Sequence, residues 1–278
     1  MRKTVIALYM IFCLLLSSFL YSCGDSDGAE SVLSAQVDVL KIGKADCIVI
    51  NTGTKIVMID TGEKENLDDV RDFMRDRGYK KVDTLILTHF DKDHIGGAKE
   101  IIEEYGVSTV LESTASSDSE YFHEYHLLLN QLGISPMRLS QDYTFQSDDC
   151  AFFVGVPMKK KYEDKKDNNS SLVVKMEHGE TRLLFCGDAE EERLAEIIDM
   201  CAGEYDFVKL PYHGNYIENY GEFFDKIKMK YAAITDSKKN PADTRTLDLL
   251  AEEGVAVLET RNGTVSFFSD GRSVKAEQ

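Results

Sequence analysis

Residues 88–97 read THFDKDHIGG and carry four side chains that can bind a metal ion. The donors fall at positions i, i+2, i+4 and i+5, and they are His89, Asp91, Asp93 and His94. An apolar run at 85–87 precedes them, so the segment begins where a strand ends and the backbone can turn. Imidazole and carboxylate together suit zinc or a neighbouring transition ion. The spacing therefore predicts a compact site for two metal ions. The competing interpretation is a solvated acidic loop that happens to hold two histidines.

Short strands and helices alternate along the chain in the order expected of a layered α/β protein. Strands are predicted at 35–42, 47–51, 55–59, 82–88, 107–111, 152–156, 171–176, 181–186, 207–210, 231–235, 255–258 and 264–268. Helices are predicted at 67–74, 98–105, 119–132, 189–200 and 244–253. Each half begins with a strand meander and then alternates strand with helix. Two sheets with helices on one face each would stack as a four-layer αββα sandwich.

Residues 1–23 have the pattern of a secretory leader. Arg2 and Lys3 precede an apolar stretch at 5–20, and the segment ends in LYSC. That ending resembles a bacterial lipobox, which implies cleavage before Cys23 and lipidation of its thiol. An ordinary cleaved signal and an uncleaved membrane anchor are the alternatives, and all three place the rest of the chain outside the cytoplasm.

This leader divides the chain into three parts. They are the leader at 1–23, an acidic tether at 24–34 and one large domain at 35–278. Lipidated Cys23 would anchor the domain to the outer face of the cytoplasmic membrane or to the outer membrane, and the sequence does not distinguish the two. No protein partner can be inferred, and we expect a monomeric or weakly associating protein.

The chain is strongly acidic, with a net charge of −17 at pH 7. Without the leader, 30 Lys and Arg face 49 Asp and Glu, which gives a net charge of about −19. Such a field repels polyanions, so adhesion to long DNA or to an anionic membrane surface needs a local basic patch or bound metal.

Four cysteines lie in the large domain, at positions 47, 150, 186 and 201, and none forms a CxxC pair. Cys47 and Cys186 lie in apolar runs, which predicts buried thiols that act as small hydrophobic side chains. An oxidising compartment would permit disulfides, but the sequence does not fix their pairing.

Several motifs together resemble the metallo-β-lactamase superfamily. In chain order these are VMIDTG at 57–62, THFDKDHIGG at 88–97, FCGDAE at 185–190 and LPYHG at 210–214. The resemblance is closest to the ComEC-like branch, typified by the hydrolase domain of the DNA-uptake channel protein ComEC. In that branch an aspartate replaces the second histidine of the superfamily's HxHxDH motif, which gives HxDxDH. Asp91 is that aspartate in this chain. VLKIGKADCIVI at 39–50 and NNSSLVV at 168–174 also resemble segments of the branch, so the resemblance covers nearly the whole domain.

The resemblance implies a role for each motif residue. Two divalent ions would be held by His89 and Asp91 on the first, Asp93 and His94 on the second, Asp188 between both, and His213 from its own loop. A bridging hydroxide would be the nucleophile, with Asp93 and Asp188 as the catalytic carboxylates. Asp60 would orient one of the metal ligands without binding the metal itself. Read alone, Asp60 could start a turn, Asp188 could cap a helix and His213 could be a surface histidine.

The chain departs from the family pattern at several positions. The third histidine motif is missing, and Asn169, or Asn168, stands near its place as a weak ligand or supporting residue. We expect Zn²⁺, with Mn²⁺ as the alternative because the first metal's ligands are rich in carboxylate. Three positions are candidates for substrate contact, and they are Lys44, Tyr212 and Ser237. Lys44 could meet a substrate anion or point to solvent.

The leading functional expectation is hydrolysis of phosphodiesters or other phosphoesters, since two metals suit in-line displacement. The acidic surface makes small phosphoesters and nucleic-acid-derived substrates equal candidates. β-Lactam or amide hydrolysis is the enzymatic alternative, which Asp91 in place of histidine disfavours. A different class is a metal-binding accessory lipoprotein that has kept the fold without turnover.

Overall fold

The computed structural model describes residues 34–159, 161–162 and 167–278, which form two β-sheets lying face to face. The predicted leader, Cys23 and residues 24–33 of the tether lie outside the described residues. The described residues belong to one compact unit.

Fifteen strands make up the two sheets in this part of the chain. The strands are β1 Ala35–Val39, β2 Ile48–Asn51, β3 Ile56–Ile59, β4 Thr84–Leu87, β5 Thr109–Ser113, β6 Met137–Leu139, β7 Tyr143–Ser147, β8 Cys150–Gly155, β9 Val173–His178, β10 Thr181–Phe185, β11 Gly203–Lys209, β12 Ile227–Ile234, β13 Ala256–Glu259, β14 Val265–Ser269 and β15 Val274–Glu277. The first sheet has the order β15-β14-β1-β2-β3-β4-β5-β6, and the second has the order β13-β12-β11-β10-β9-β8-β7.

Seven α-helices accompany the described sheets, and all but the short α2 cover their outer faces. They are α1 Leu67–Asp76, α2 Lys92–Ile95, α3 Ala98–Tyr105, α4 Glu120–Leu132, α5 Glu191–Cys201, α6 Tyr220–Lys226 and α7 Thr244–Glu252. In α1, Leu67, Val70 and Met74 repeat at helical spacing and are buried, while Asp68 and Asp69 occupy the first turn. That turn favours negative charge because of the helix dipole.

Three apolar layers hold the sandwich together. The middle layer lies between the sheets and includes Val37 and Ile86 of the first sheet and Phe185 and Phe207 of the second. One outer layer packs α1, α3 and α4 on the first sheet, and the other packs α5, α6 and α7 on the second. Strands such as β3 are buried on both faces, which explains their unbroken apolar sequence.

The architecture confirms the predicted four-layer αββα sandwich. The first three strands form the expected antiparallel meander, and β3, β4 and β5 are parallel. In the second sheet β10, β11, β12 and β13 are parallel. Each sheet therefore presents several strand carboxyl ends at one edge.

Some elements were absent from the predicted pattern, and these are α2, α6, β6, β7 and β15. Most are short or lie at sheet edges, where little of the chain is buried. β6 has three residues, two of them exposed, and β7 alternates between half-buried and exposed positions. The predicted helix at 189–200 begins later, at Glu191, so Asp188 lies before the helix and before its N-cap residue, Glu190.

The four cysteines of the domain are buried, and no disulfide joins them in the described structure. Burial raises the pKa of the Cys150 thiol to about 12 and that of Cys201 to about 11. The thiols are therefore neutral, small hydrophobic side chains, and burial confirms what the apolar context predicted for Cys47 and Cys186.

Phe267 of β14 packs on Phe207 of the other sheet, with ring centroids 4.1 Å apart. We expect Phe267→Ala to lower the free energy of unfolding by about 3–5 kcal/mol, because it leaves a cavity between the sheets. Guanidinium unfolding measures the change. Leu127→Ala is the control, since Leu127 is 60% exposed and should change stability by less than about 0.5 kcal/mol. Equal effects of the two substitutions would contradict this account of the core.

Candidate metal centre

The predicted ligands meet where strand carboxyl ends from both sheets converge. Asp60 follows β3, and His89 follows β4. Asp188 follows β10, and the loop carrying His213 follows β11. Neighbouring parallel strands end at one sheet edge, so residues distant in sequence become neighbours there. The short helix α2 continues the first segment and carries Asp93 and His94.

Asp60 fixes the orientation of His94. Its carboxylate accepts hydrogen bonds from the Thr88 backbone N–H at 2.8 Å and from Thr88 Oγ1 at 2.7 Å. The same carboxylate lies 2.7 Å from His94 Nδ1. Nδ1 is therefore engaged, and Nε2 is the nitrogen that faces the ligand cluster. The structure places Asp60 behind His94, in the supporting position that the resemblance implies.

Asp188 lies between two histidines that come from opposite halves of the chain. Its Oδ1 is 3.4 Å from His94 Nε2, and its Oδ2 is 2.9 Å from His213 Nε2. His213 Nε2 is also 3.3 Å from Asp93 Oδ2. The other nitrogen, His213 Nδ1, lies 3.0 Å from Thr235 Oγ1 and 3.1 Å from the Thr235 carbonyl oxygen. The Thr235 contacts turn the free nitrogen of His213 toward the two aspartates.

His89 and Asp91 complete the cluster on its other side. His89 Nε2 lies 3.8 Å from Asp91 Oδ2, and the His89 ring centroid is 4.0 Å from that of His94. His89 Nδ1 lies 3.1 Å from Thr88 Oγ1 and 3.3 Å from Ser171 Oγ. The structure thus brings together all six predicted metal ligands.

The polar atoms that face the cluster fit a bound cation. Within the described residues, the buried Nε2 atoms of His89, His94 and His213 and the buried Oδ1 of Asp188 lack a hydrogen-bond partner. Orphaned polar atoms are costly in a protein interior, and a divalent ion would satisfy them. Donor atoms of Asp46, His94, Asp188 and His213 also lie within 4.8 Å of one another. His94, Asp188 and His213 fit a divalent metal site, with Asp46 on the Nδ1 side of both imidazoles, and carboxylate with imidazole is a donor set that zinc or manganese accepts.

Opposite charges control the ionisation of this cluster. Burial opposes a charge on His94, but the carboxylates of Asp188 and Asp60 outweigh it and hold the pKa of His94 well above its usual range. The pKa of His213 is also raised, because Asp188 outweighs the effect of burial. Conversely, these two histidines hold the pKa of Asp188 well below its usual range despite its burial. The carboxylates therefore attract positive charge, and a metal ion competes with protons for the same nitrogens.

In His89 and Asp91 the pKa values shift in the opposite directions, to lower values for the histidine and to higher values for the aspartate. Burial, with His94 close by, lowers the pKa of His89 to about 3, so His89 is neutral and can donate its lone pair to a metal. Burial and the neighbouring Asp93 raise the pKa of Asp91 to about 6. The raised pKa of Asp91 reflects its crowding with other carboxylates, and added positive charge at this point would be favourable.

Strained backbone is concentrated at this site. The described chain has four non-glycine residues with positive φ, and three of them, Asp60, Tyr212 and His213, belong to the site, with φ of 56°, 50° and 53°. This left-handed conformation costs about 1–2 kcal/mol for a residue with a Cβ atom. The chain maintains it where ligand direction matters, which is typical of functional sites.

Two residues at the centre of the site were not identified from the sequence. Asp46 is 1% exposed and Lys209 is fully buried, and their side chains form an ion pair. Asp46 lies in the turn GKAD, and Lys209 is a charged residue in the apolar run FVKLP. A lysine in a buried strand was the available signal, but its partner is 163 residues away in the chain.

Two predicted site residues have other contacts. Asn169 Oδ1 accepts hydrogen bonds from the backbone N–H groups of Glu190 at 3.0 Å and Arg193 at 3.2 Å, so it caps the start of α5. Those bonds occupy the amide oxygen that the sequence analysis offered as a weak metal ligand. Ser237 Oγ accepts from the Asn240 backbone N–H at 3.0 Å and shapes a turn beside the site.

Lys44 and Tyr212 contact each other, and each is close in sequence to a residue of the site. Lys44 Nζ lies 5.7 Å from the centroid of the Tyr212 ring. The Lys44 turn adjoins Asp46, and Tyr212 adjoins His213. This arrangement places a cation and an aromatic face beside the ligands.

The chain resembles known proteins over most of its length. The family model described as the metallo-beta-lactamase superfamily matches residues 41–235. ComE operon protein 3 of Bacillus subtilis (strain 168) is 27% identical over 272 residues, which cover 90% of this chain and 34% of that protein. Recombination protein 2 of Haemophilus influenzae is 24% identical over 211 residues, which cover 74% of this chain and 25% of that protein. The chain therefore spans about a third or less of these relatives' length.

Solved structures share the fold at low sequence identity. Igni18, a metallo hydrolase from Ignicoccus hospitalis, has a TM-score of 0.55 at 15% identity, covering 84% of this chain and 98% of that one. The metallo-beta-lactamase fold protein YhfI from Bacillus subtilis has a TM-score of 0.55 at 11% identity, covering 88% and 100%. Together with the family match, these structures confirm the predicted fold and the prediction of a metallo-hydrolase. The relatives confirm the predicted resemblance to the ComEC-like branch.

Among the described residues, no helix has the length and apolar character needed to cross a membrane.

Asp60→Asn should weaken divalent metal binding by about 10–100-fold, a typical effect for a group that orients a ligand. Beside His94 Nδ1 the amide cannot replace both carboxylate oxygens, so the histidine loses its fixed tautomer. Competition with a chromogenic chelator measures the affinity. Asp38→Asn is the matched control, because Asp38 is equally buried but bonds Ser266 at 2.5 Å, away from the ligands. Unchanged affinity in Asp60→Asn would contradict the orienting role.

Proposed function

We propose, since the chain belongs to the metallo-beta-lactamase superfamily, that it is a divalent-metal-dependent phosphoesterase acting on phosphodiesters or other small phosphoesters. One observation carries the proposal. The buried Nε2 atoms of His89, His94 and His213 and the buried Oδ1 of Asp188 converge without a hydrogen-bond partner in the described structure. Two divalent ions held there would supply an activated water nucleophile and would polarise the phosphoryl oxygen.

Individual residues of the chain have distinct tasks in this proposal. His89 and Asp91 would hold one ion, Asp93, His94 and His213 would hold the other, and Asp188 would serve both. Asp93 stays ionised, because nearby His213 and His94 lower its pKa despite burial. Its carboxylate can then accept a hydrogen bond from the attacking water and set its direction.

The substrate class follows from charge and size. An acidic chain repels a long polyanion, whereas a small phosphoester needs only local positive charge. Lys44, two residues before Asp46, would supply that charge, and the Tyr212 ring beside it would offer a flat surface for an aromatic group. The Haemophilus influenzae relative named as a recombination protein supports a nucleic-acid-derived substrate.

The metals we propose are zinc ions, with manganese as the alternative. Asp91 supplies the first ion with a harder oxygen ligand in place of an imidazole, which reduces the preference for zinc. Elemental analysis of the purified protein would decide between the two metals. Manganese as the tightly held ion would reject the zinc assignment.

Asp188→Ala should abolish hydrolysis of bis-nitrophenyl phosphate, since it removes the carboxylate shared by both ions. The assay also includes single-stranded DNA, double-stranded DNA and a chromogenic cephalosporin. Asp225→Ala, on the surface with 67% of its side chain exposed, should leave the rate unchanged. Cleavage of the cephalosporin alone would favour the lactamase alternative. Bound metal without turnover on any substrate would favour the accessory lipoprotein.

We also propose that the domain is exported and held at a membrane by a lipid on Cys23. The sequence LYSC after an apolar stretch supports this anchor. Cys23→Ala should move the protein from the membrane fraction to the soluble fraction in a host that processes lipoproteins, as measured by fractionation and immunoblotting. Cys13→Ala, within the same leader, is the matched control and should remain attached. A Cys23→Ala variant that also remains attached would reject the lipid anchor.

A further inference from the structure

The metal ligands come from two sheets, so their separation depends on what joins the sheets at this edge. The first half supplies His89, Asp91, Asp93 and His94, and the second half supplies Asp188 and His213. A metal site tolerates only small errors in ligand position. Some contact must therefore set the distance between Asp188 and His94.

Lys209 and Asp46 form a buried ion pair that crosses this junction. Asp46 lies in the turn before β2, and Lys209 ends β11 in the other sheet. The Lys209 ammonium also donates to the Gly187 carbonyl oxygen at 3.1 Å and lies 3.7 Å from Asp188 Oδ1. It thus contacts the segment that carries the shared carboxylate.

Asp46 is tied equally firmly to the first group of ligands. Its backbone N–H donates to the Asp93 carbonyl oxygen at 3.0 Å, and its own carbonyl oxygen accepts from Gly62 N–H at 2.7 Å. Gly62 belongs to the loop that carries Asp60. The Asp46 turn therefore moves with the ligands of the first sheet, and the ion pair links that turn to Gly187 and Asp188.

The position of Asp46 favours support rather than metal binding. Its carboxylate oxygens lie 3.9 Å from His94 Nδ1 and 3.5 Å from His213 Nδ1. Both nitrogens are already engaged, by Asp60 and Thr235, on the sides of the rings that face away from the cluster. Asp46 thus lies behind the two imidazoles.

We propose that Lys209 is a positioning residue, which through Asp46 and Gly187 sets the place of Asp188 against His94 and thereby the affinity of the shared metal site. A buried ion pair adds little net stability compared with a neutral pair of the same size, because both charges lose their hydration. The contribution of the Lys209–Asp46 pair is therefore to fix the relative positions of the ligands rather than to stabilise the fold. The proposal rests on the metal dependence of the proposed function but not on its substrate.

The test compares Lys209→Met with the double variant Asp46→Asn/Lys209→Met in the full chain. Metal affinity for zinc and manganese is measured by chelator competition, and thermal stability is measured in the presence of chelator. Lys209→Met leaves Asp46 unpaired, so both properties should fall. The double variant removes both charges and should recover stability, but its metal affinity should remain at least about 10-fold below that of the unmodified chain.

Two further variants keep the test decisive. Lys209→Gln keeps N–H donors for Asp46, so it should fold even if Lys209→Met does not. Its side chain is uncharged and one bond shorter than lysine, so it should hold Asp46 and Gly187 less closely and bind metal more weakly. Asp38→Asn/Arg77→Met removes another ion pair with a buried aspartate, in which Arg77 lies 3.1 Å from Asp38. This pair is remote from the metal ligands, so the metal affinity of the variant should not change. Recovery of both stability and affinity in the Asp46→Asn/Lys209→Met variant would overturn the proposal, as would normal affinity in Lys209→Gln. Because the readout is metal affinity, a failure to find phosphoester hydrolysis would not affect the result.

Discussion

Buried negative charge is the constraint on which the rest of this structure depends. Asp46, Asp60 and Asp188 lie within one interior region and are nearly or fully removed from solvent. Such a concentration is stable only if positive charge and hydrogen-bond donors are distributed among the carboxylates. Lys209 supplies a fixed charge, the histidines supply variable charge, and Thr88 supplies neutral donors. The two sheets must remain in register for these groups to meet.

The αββα sandwich meets this constraint by dividing the chemistry between strands and loops. Parallel strands at the centre of each sheet are buried on both faces and end at a common edge. The loops that follow can then carry polar residues that a strand interior would not accommodate. Because each half contributes ligands, the site requires the complete sandwich.

The hydrophobic pattern of the sequence predicted most strands and helices, and the candidate ligands could be predicted because most of them lie in short continuous motifs. The sequence 88–97 correctly placed four candidate ligands directly after a strand, although it did not predict the short helix α2 within this segment. Asp46 and Lys209 could not be paired in the same way, since their contact depends on how two sheets stack. For Asn169 the position in a motif was predicted, but its contacts were not. Its motif was recognisable, but the two backbone N–H groups that its oxygen accepts became apparent only when α5 was in place. Edge elements such as β6 and β7 bury too little to leave a clear pattern.

The left-handed backbone at Tyr212 and His213 has a consequence for how this protein can adapt to temperature. Each residue holds a conformation that costs about 1–2 kcal/mol, and Asn215 and Tyr220 hold the loop in place through the carbonyl oxygens of Tyr212 and Pro211. Selection for heat resistance alone would favour glycine or asparagine at position 212, which would relax the loop and widen the range of His213 directions. Variants of this chain adapted to hot environments should therefore gain stability from substitutions in other regions first and change this loop last. In this loop a substitution that raises stability would also disturb the direction of the His213 side chain.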